Sequence, residues 1–123
     1  MNLLLGELID ETIKDIYENS YFGEAPRGTA FPYVVWRTPT SFVIEERIES
    51  VMLEIRVFDN KWNDISTLET ITDTLVRGLN KRDCFDSNSH IFFQKESILQ
   101  VDNEEERTKQ RLIRMTVNYF DRR

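Results

Sequence analysis

The sequence predicts an α+β fold: a two-layer sandwich with a mainly antiparallel sheet and two helices packed on one face. Three observations lead there. From Ser50 to Asp59, Val51, Leu53, Ile55 and Val57 alternate with Met52, Glu54, Arg56 and Phe58. Period two with β-branched residues on the apolar side marks a strand with one buried face. Two other segments repeat apolar residues at three and four, the spacing of a helix with one buried stripe. The remaining extended segments come in neighbouring pairs, which favours hairpins.

The first helix is expected from Asn2 to about Tyr17. Asn2 is its cap, and Leu5, Leu8, Ile9, Thr12, Ile13, Ile16 and Tyr17 form its stripe. Tyr21 to Ala30 reads as a loop, because Gly23, Pro26 and Gly28 interrupt any period. A first strand runs Phe31 to Arg37, with Pro32 at its start or on an edge. Thr38-Pro39-Thr40-Ser41 is expected to break it before Phe42-Val43-Ile44 resumes. Glu45-Glu46-Arg47 fits either a loop tip or the wet part of a long strand. Asp59-Asn60 stops the central strand with turn chemistry.

The second helix starts at an Asn63 or Asp64 cap and runs to about Leu79, with Ile65, Leu68, Ile71, Leu75 and Leu79 inward. Gly78-Leu79-Asn80 is its stop signal. Asp83 to His90 is expected as a polar turn. Two closing strands follow, Ile91–Leu99 and Leu112–Phe120, the latter with Ile113, Met115, Val117 and Tyr119 inward. The acidic tract from Asp102 to Glu106 is their hairpin tip.

A chain of 123 residues without repeats or a long linker is one domain, residues 1–123. Its 22 acidic against 16 basic residues leave −6, which weakens a case for nonspecific nucleic-acid binding. One cysteine excludes an internal disulfide, and with one histidine it excludes a Cys/His zinc cluster; the cytoplasm is the expected compartment. Leu3-Leu4-Leu5 has no basic residues before it and is interrupted by Glu7, so neither an export signal nor a membrane span is expected.

No catalytic, cofactor-binding or metal-ligating set emerges. His90 has no nucleophile motif beside it, and general-base work needs an orienting partner and a cleft. Cys84 has basic neighbours, but a helix C-terminus opposes a thiolate. Glu104, Glu105 and Glu106 lack the spaced pattern and the glycine of a calcium loop. What remains are contact candidates. Met52 and Phe58 lie on the nominally wet side of the central strand, and the first strand carries Trp36, so all three are expected at a partner surface. Glu104, Glu105, Glu106 and Arg107 at the tip are expected to meet a neighbouring copy.

The Phe31-Pro32-Tyr33-Val34-Val35-Trp36 strand, the Leu53-Glu54-Ile55-Arg56-Val57-Phe58-Asp59 strand and the closing Thr116-Val117-Asn118-Tyr119-Phe120 lie in an order that resembles the tail-completion proteins of long-tailed bacteriophages and prophages. These are also called tail terminators or tail-to-head joining proteins. The resemblance spans nearly the whole chain but rests on structural segments, with no catalytic signature. It implies a two-layer α+β fold without enzyme activity. It also implies a homo-oligomer, typically a hexameric ring, that ends tail growth and joins tail to head in the virion after synthesis in the bacterial host cytoplasm. The implied partners are the tail tube protein and a head-completion protein, with DNA passing through unbound and no membrane involved. A small cytoplasmic α+β enzyme or ligand-binding protein is the rival; a deep polar pocket would favour it.

Overall fold

In the computed structural model, which describes residues 3–45, 48–85, 89–104 and 107–121, the central alternating stretch is strand β3, Ile48–Asp59. Val51, Leu53, Ile55 and Val57 are each 0% exposed, as the period-two pattern requires. Five more strands complete one sheet: β1 (Ser20–Phe22), β2 (Tyr33–Glu45), β4 (Asp83–Phe85), β5 (Ser89–Asn103) and β6 (Thr108–Asp121). Their order is β1-β2-β3-β6-β5-β4. β3 and β6 pair antiparallel without interruption from Ile48↔Phe120 to Asp59↔Lys109.

Helices α1 (Leu3–Ile16) and α2 (Ser66–Leu79) share one core with the β3 valines and leucine. Leu5, Ile9 and Ile13 of α1 and Leu68, Leu75 and Leu79 of α2 are buried there beside Ile113, Met115 and Val117 of β6. A Cβ at Gly78 would stand 2.7 Å from Ile16 Cδ1, so this glycine lets the two helices approach closely. It lies inside α2 and does not end the helix. The helix ends at Leu79 with Asn80 as its C-cap, where the stop signal places it, and the chain turns away at Lys81, whose φ of 63° is left-handed. Lys81 N–H donates to Phe93 O (2.8 Å) and Phe93 N–H donates to Arg82 O (3.0 Å), which ties the helix exit to β5.

Neither expected residue is the cap of α2: the cap position is Ile65, without a side-chain cap hydrogen bond, and Asp64 stands one residue before it. Its Oδ1 accepts from Ser66 Oγ (2.7 Å) and Ser66 N–H (3.0 Å). Those hydrogen bonds hold its carboxyl below the ordinary range.

Four other expectations change. The 21–30 segment is not all loop: β1 pairs parallel with β2, Ser20↔Val34 to Phe22↔Trp36, and the sheet is mixed. The Asp83–His90 segment is not a plain turn, since β4 pairs with β5. Thr38-Pro39 does not break β2; the strand absorbs both residues as a bulge between Arg37 and Thr40. β5 and β6 extend to Asn103↔Thr108, beyond their expected limits. Glu46 and Arg47 lie outside the described residues, while β2 ends at Glu45 and β3 begins at Ile48.

Buried Arg111 and half-buried Tyr17 each make a hydrogen bond to another part of the chain. Arg111 is 3% exposed on the helix side, and its Nε donates to Glu69 Oε1 at 2.6 Å. Tyr17 donates to Pro32 O at 3.0 Å. Burial first, and then the negative Asp59, push the Tyr17 hydroxyl above its ordinary pKa of 10.0.

Leu53→Ala is expected to lower stability by about 2–5 kcal/mol as a buried large-to-small change. Denaturant titration checks it, through a lower midpoint at an unchanged slope. The native state holds the Tyr17 proton more tightly than the unfolded chain does. That contribution is intact below roughly pH 10 and is lost as pH rises through the native value. Tyr17→Phe is therefore expected to lose less stability than wild type between neutral and strongly alkaline pH, read from thermal midpoints.

Candidate interaction surface

Strand geometry sends successive side chains to opposite faces, so the face without helices is fixed by the same register. It is built of cross-strand rows. Tyr33, Phe58, Gln110 and Val101 form one; Val35, Arg56, Leu112 and Leu99 form the next. Arg37, Glu54, Arg114 and Ser97 follow, then Thr40, Met52, Thr116 and Gln94.

The third row concentrates charge. Glu54 is only 9% exposed, yet its Oε2 lies 3.6 Å from Arg56 Nη2 and 3.9 Å from Arg37 Nη2. A carboxylate with so little water needs such cations. Arg56 Nη1 also reaches Gln110 Oε1 at 3.5 Å. With Arg114 opposite Glu54, the rows hold three guanidiniums to one carboxylate.

The first row is aromatic. Tyr33 stacks on Phe58 with centroids 4.9 Å apart, and Phe31 lies 5.1 Å from Tyr33. The 23–25 loop borders these rows and leaves a half-open depression of roughly 320 Å³, with Tyr33, Arg37, Glu54, Arg56 and Phe58 among its walls. Among the described residues, no serine, cysteine or histidine lines it. Arg37 and Arg56 are paired with Glu54 in its wall, beside the aromatic rings of Tyr33 and Phe58.

The contact candidates fall in three places. Met52, 38% exposed, and Phe58, partly buried under Tyr33, stand on the open face as the alternation places them. Trp36 does not. It is 1% exposed on the helix side, where its Nε1 donates to Asp10 Oδ1 at 3.2 Å. A run of Val34-Val35-Trp36 has no polar residue to reveal which face each takes, and the register puts Trp36 opposite buried Ile55. Glu104 is exposed in the β5–β6 turn; Glu105 and Glu106 lie outside the described residues. Arg107 lies over the Trp62 ring at 4.6 Å, with Lys109 Nζ at 4.7 Å, so a contact within the chain engages it.

His90 is in β5, not a turn, and its Nε2 is 2.5 Å from Asp83 Oδ1. It therefore has an orienting carboxylate. Cys84 is no partner for it, since its Sγ lies 3.7 Å from Thr12 Oγ1 of α1. Among the described residues, no group of three or more His, Cys, Asp or Glu side chains is placed to hold a metal ion.

Sequence reasoning missed Arg37 and Arg114 as surface elements. The alternation already put Glu54 and Arg56 on the wet side. Their cross-strand partners required a register that sequence does not supply.

No protein-family model matches the chain, and no curated protein does. Its fold does match a chain in the solved virion of a native gene transfer agent particle. The TM-score is 0.64 at 10% sequence identity, over 88% of this chain and 84% of that one. At that identity the likeness shows a shared fold.

Proposed function

We propose that the protein is a structural subunit of a phage-like virion that forms a ring at the end of the tail tube, ends tail growth and joins the tail to the head. The observation that carries this is the near full-length fold shared with a chain of the gene transfer agent virion. The segment order that resembles tail-completion proteins narrows it to the tail end. The open face supports a non-enzymatic role, because aromatic and exposed apolar groups flank arginines that Glu54 engages in ion pairs. The half-open depression lacks the enclosure expected of a small-molecule site, which sets the enzyme or ligand-binding rival second.

In this reading the partners are further copies of the chain, the tail tube protein and a head-completion protein. DNA passes through the ring without being bound by sequence. Six copies would carry 6 × (−6) = −36, which weakens a grip of the ring as a whole on phosphate, while the balance at its channel depends on which face turns inward.

The test is deletion of the gene in a particle-producing strain, with particles imaged by electron microscopy. Tails of uncontrolled length, unjoined to heads, are the expected result, reversed by the gene supplied in trans. His90→Ala and Cys84→Ser copies are expected to restore joined particles as wild type does. Normal joined particles from the deletion strain would overturn the proposal.

A further inference from the structure

β1 covers only the start of β2's outer edge, since their pairing ends at Phe22↔Trp36. β4 likewise covers only the start of β5, through Asp83↔Phe92. Just beyond it, Lys95 N–H donates to Asn80 Oδ1 at 2.9 Å. Among the described residues, no strand pairs with the outer edge of β2 over 40–45 or of β5 over 97–102. These two stretches lie at opposite ends of the sheet. Residues 40–45 are level with 116–120 of β6, while 97–102 are level with 109–114.

An open edge is a template for another strand. Three features fit it to a second copy. β2, β3, β6 and β5 are joined by three antiparallel steps, so β2 and β5 run in opposite directions and a repeated copy brings them together antiparallel.

The second feature is the match of faces. On β2, Val34 N–H donates outward to Asn19 O and Trp36 O accepts outward from Gly23 N–H. On β5, Phe93 uses both backbone groups outward, toward Lys81 and Arg82. Val34, Trp36 and Phe93 all belong to the helix-side core. Outward amides and helix-side residues thus coincide on both edges, and joining the edges continues each face into the same face.

The third feature is the offset. Ser41 is level with Phe93 through Val51 and Val117. Matching faces and amides sets position 41 against 98 or 100, about four to six ladder positions further along β5 after its bulge. With roughly 3.3 Å per residue and 4.8 Å between strands, that shift across four strands gives a tilt of about 35–45°, the range in which sheets close on themselves. Ile98, Leu99 and Val101, exposed by 43%, 41% and 36%, lie along the stretch a neighbour would flank.

We propose that copies of this chain join edge to edge, residues 40–44 of one pairing antiparallel within residues 97–101 of the next, so that the four long strands continue as one sheet around the ring. This rests on the ring reading and specifies its contact. The contact is heterologous: each copy uses both of its edges, and a rotation that closes gives a ring without loose ends.

Disulfide trapping in a Cys84→Ser background tests it. Thr40→Cys is placed opposite Leu99→Cys in one matched register and opposite Val101→Cys in the other, within disulfide reach for a cross-strand pair. Mixing single-cysteine chains is expected to give Thr40–Leu99 or Thr40–Val101 dimers, and chains with both cysteines a covalent ladder that ends at the ring. Gln100→Pro removes an outward N–H from an edge strand. It is expected to keep the monomer's circular dichroism and to lose the rings seen by sedimentation and negative-stain imaging. Rings that survive Gln100→Pro without any such cross-link would overturn the edge contact and leave the ring standing. Cysteine-bearing chains that do not cross-link, together with wild-type chains that form no rings at high concentration or with their own tails, would overturn both.

Discussion

The unbroken ladder between β3 and β6 is the constraint on which the rest depends. Twelve residue pairs run from Ile48↔Phe120 to Asp59↔Lys109 without a shift. A slip of one residue there would turn Val51, Leu53, Ile55 and Val57 outward and send Glu54 and Arg56 under the helices. The irregularities are kept away from it. Two register shifts fall between β2 and β3, and one between β5 and β6. The centre of the sheet is therefore regular enough to seat two helices, while its flanks bend.

Much of this was legible in the sequence, and the reasons differ by element. β3 and both helices announce themselves because each carries a full period over ten or more residues. β1 and β4 have three residues each, too few to show any period, and exist because a longer strand offers them an edge. Thr38-Pro39 looked like a break because proline cannot join a ladder, and a bulge is the other solution to the same problem. On the candidate surface, Met52 and Phe58 followed from parity alone. Trp36 could not, since a bulky apolar strand residue fits either face until Asp10 of α1 claims its indole N–H. The charged rows need a register, and register is long-range information.

The net charge is distributed unevenly. Exposed Glu7, Glu11 and Asp15 of α1 and Asp73 of α2 sit on the helix layer, while the open face holds Arg37, Arg56 and Arg114 around Glu54. A ring that turned its helices outward would present this open face to its channel. The acid excess read from composition would then describe the outer wall, and Glu54 would be what tempers the arginines toward a passing duplex.

Pro39 and the bulges of β2 and β5 have a consequence before any assembly begins. A bare, straight sheet edge recruits strands indiscriminately, and proteins blunt such edges with proline, kinks and charge. Here Pro39 lends no N–H, the β2 edge is kinked at Arg37/Thr40, and β5 is kinked at Lys95/Ser97 beside exposed Lys95 and Glu96. A stray strand meets an interrupted row of donors and gains little. Interruptions of this kind work against the fibril growth that an uninterrupted edge of this length would invite.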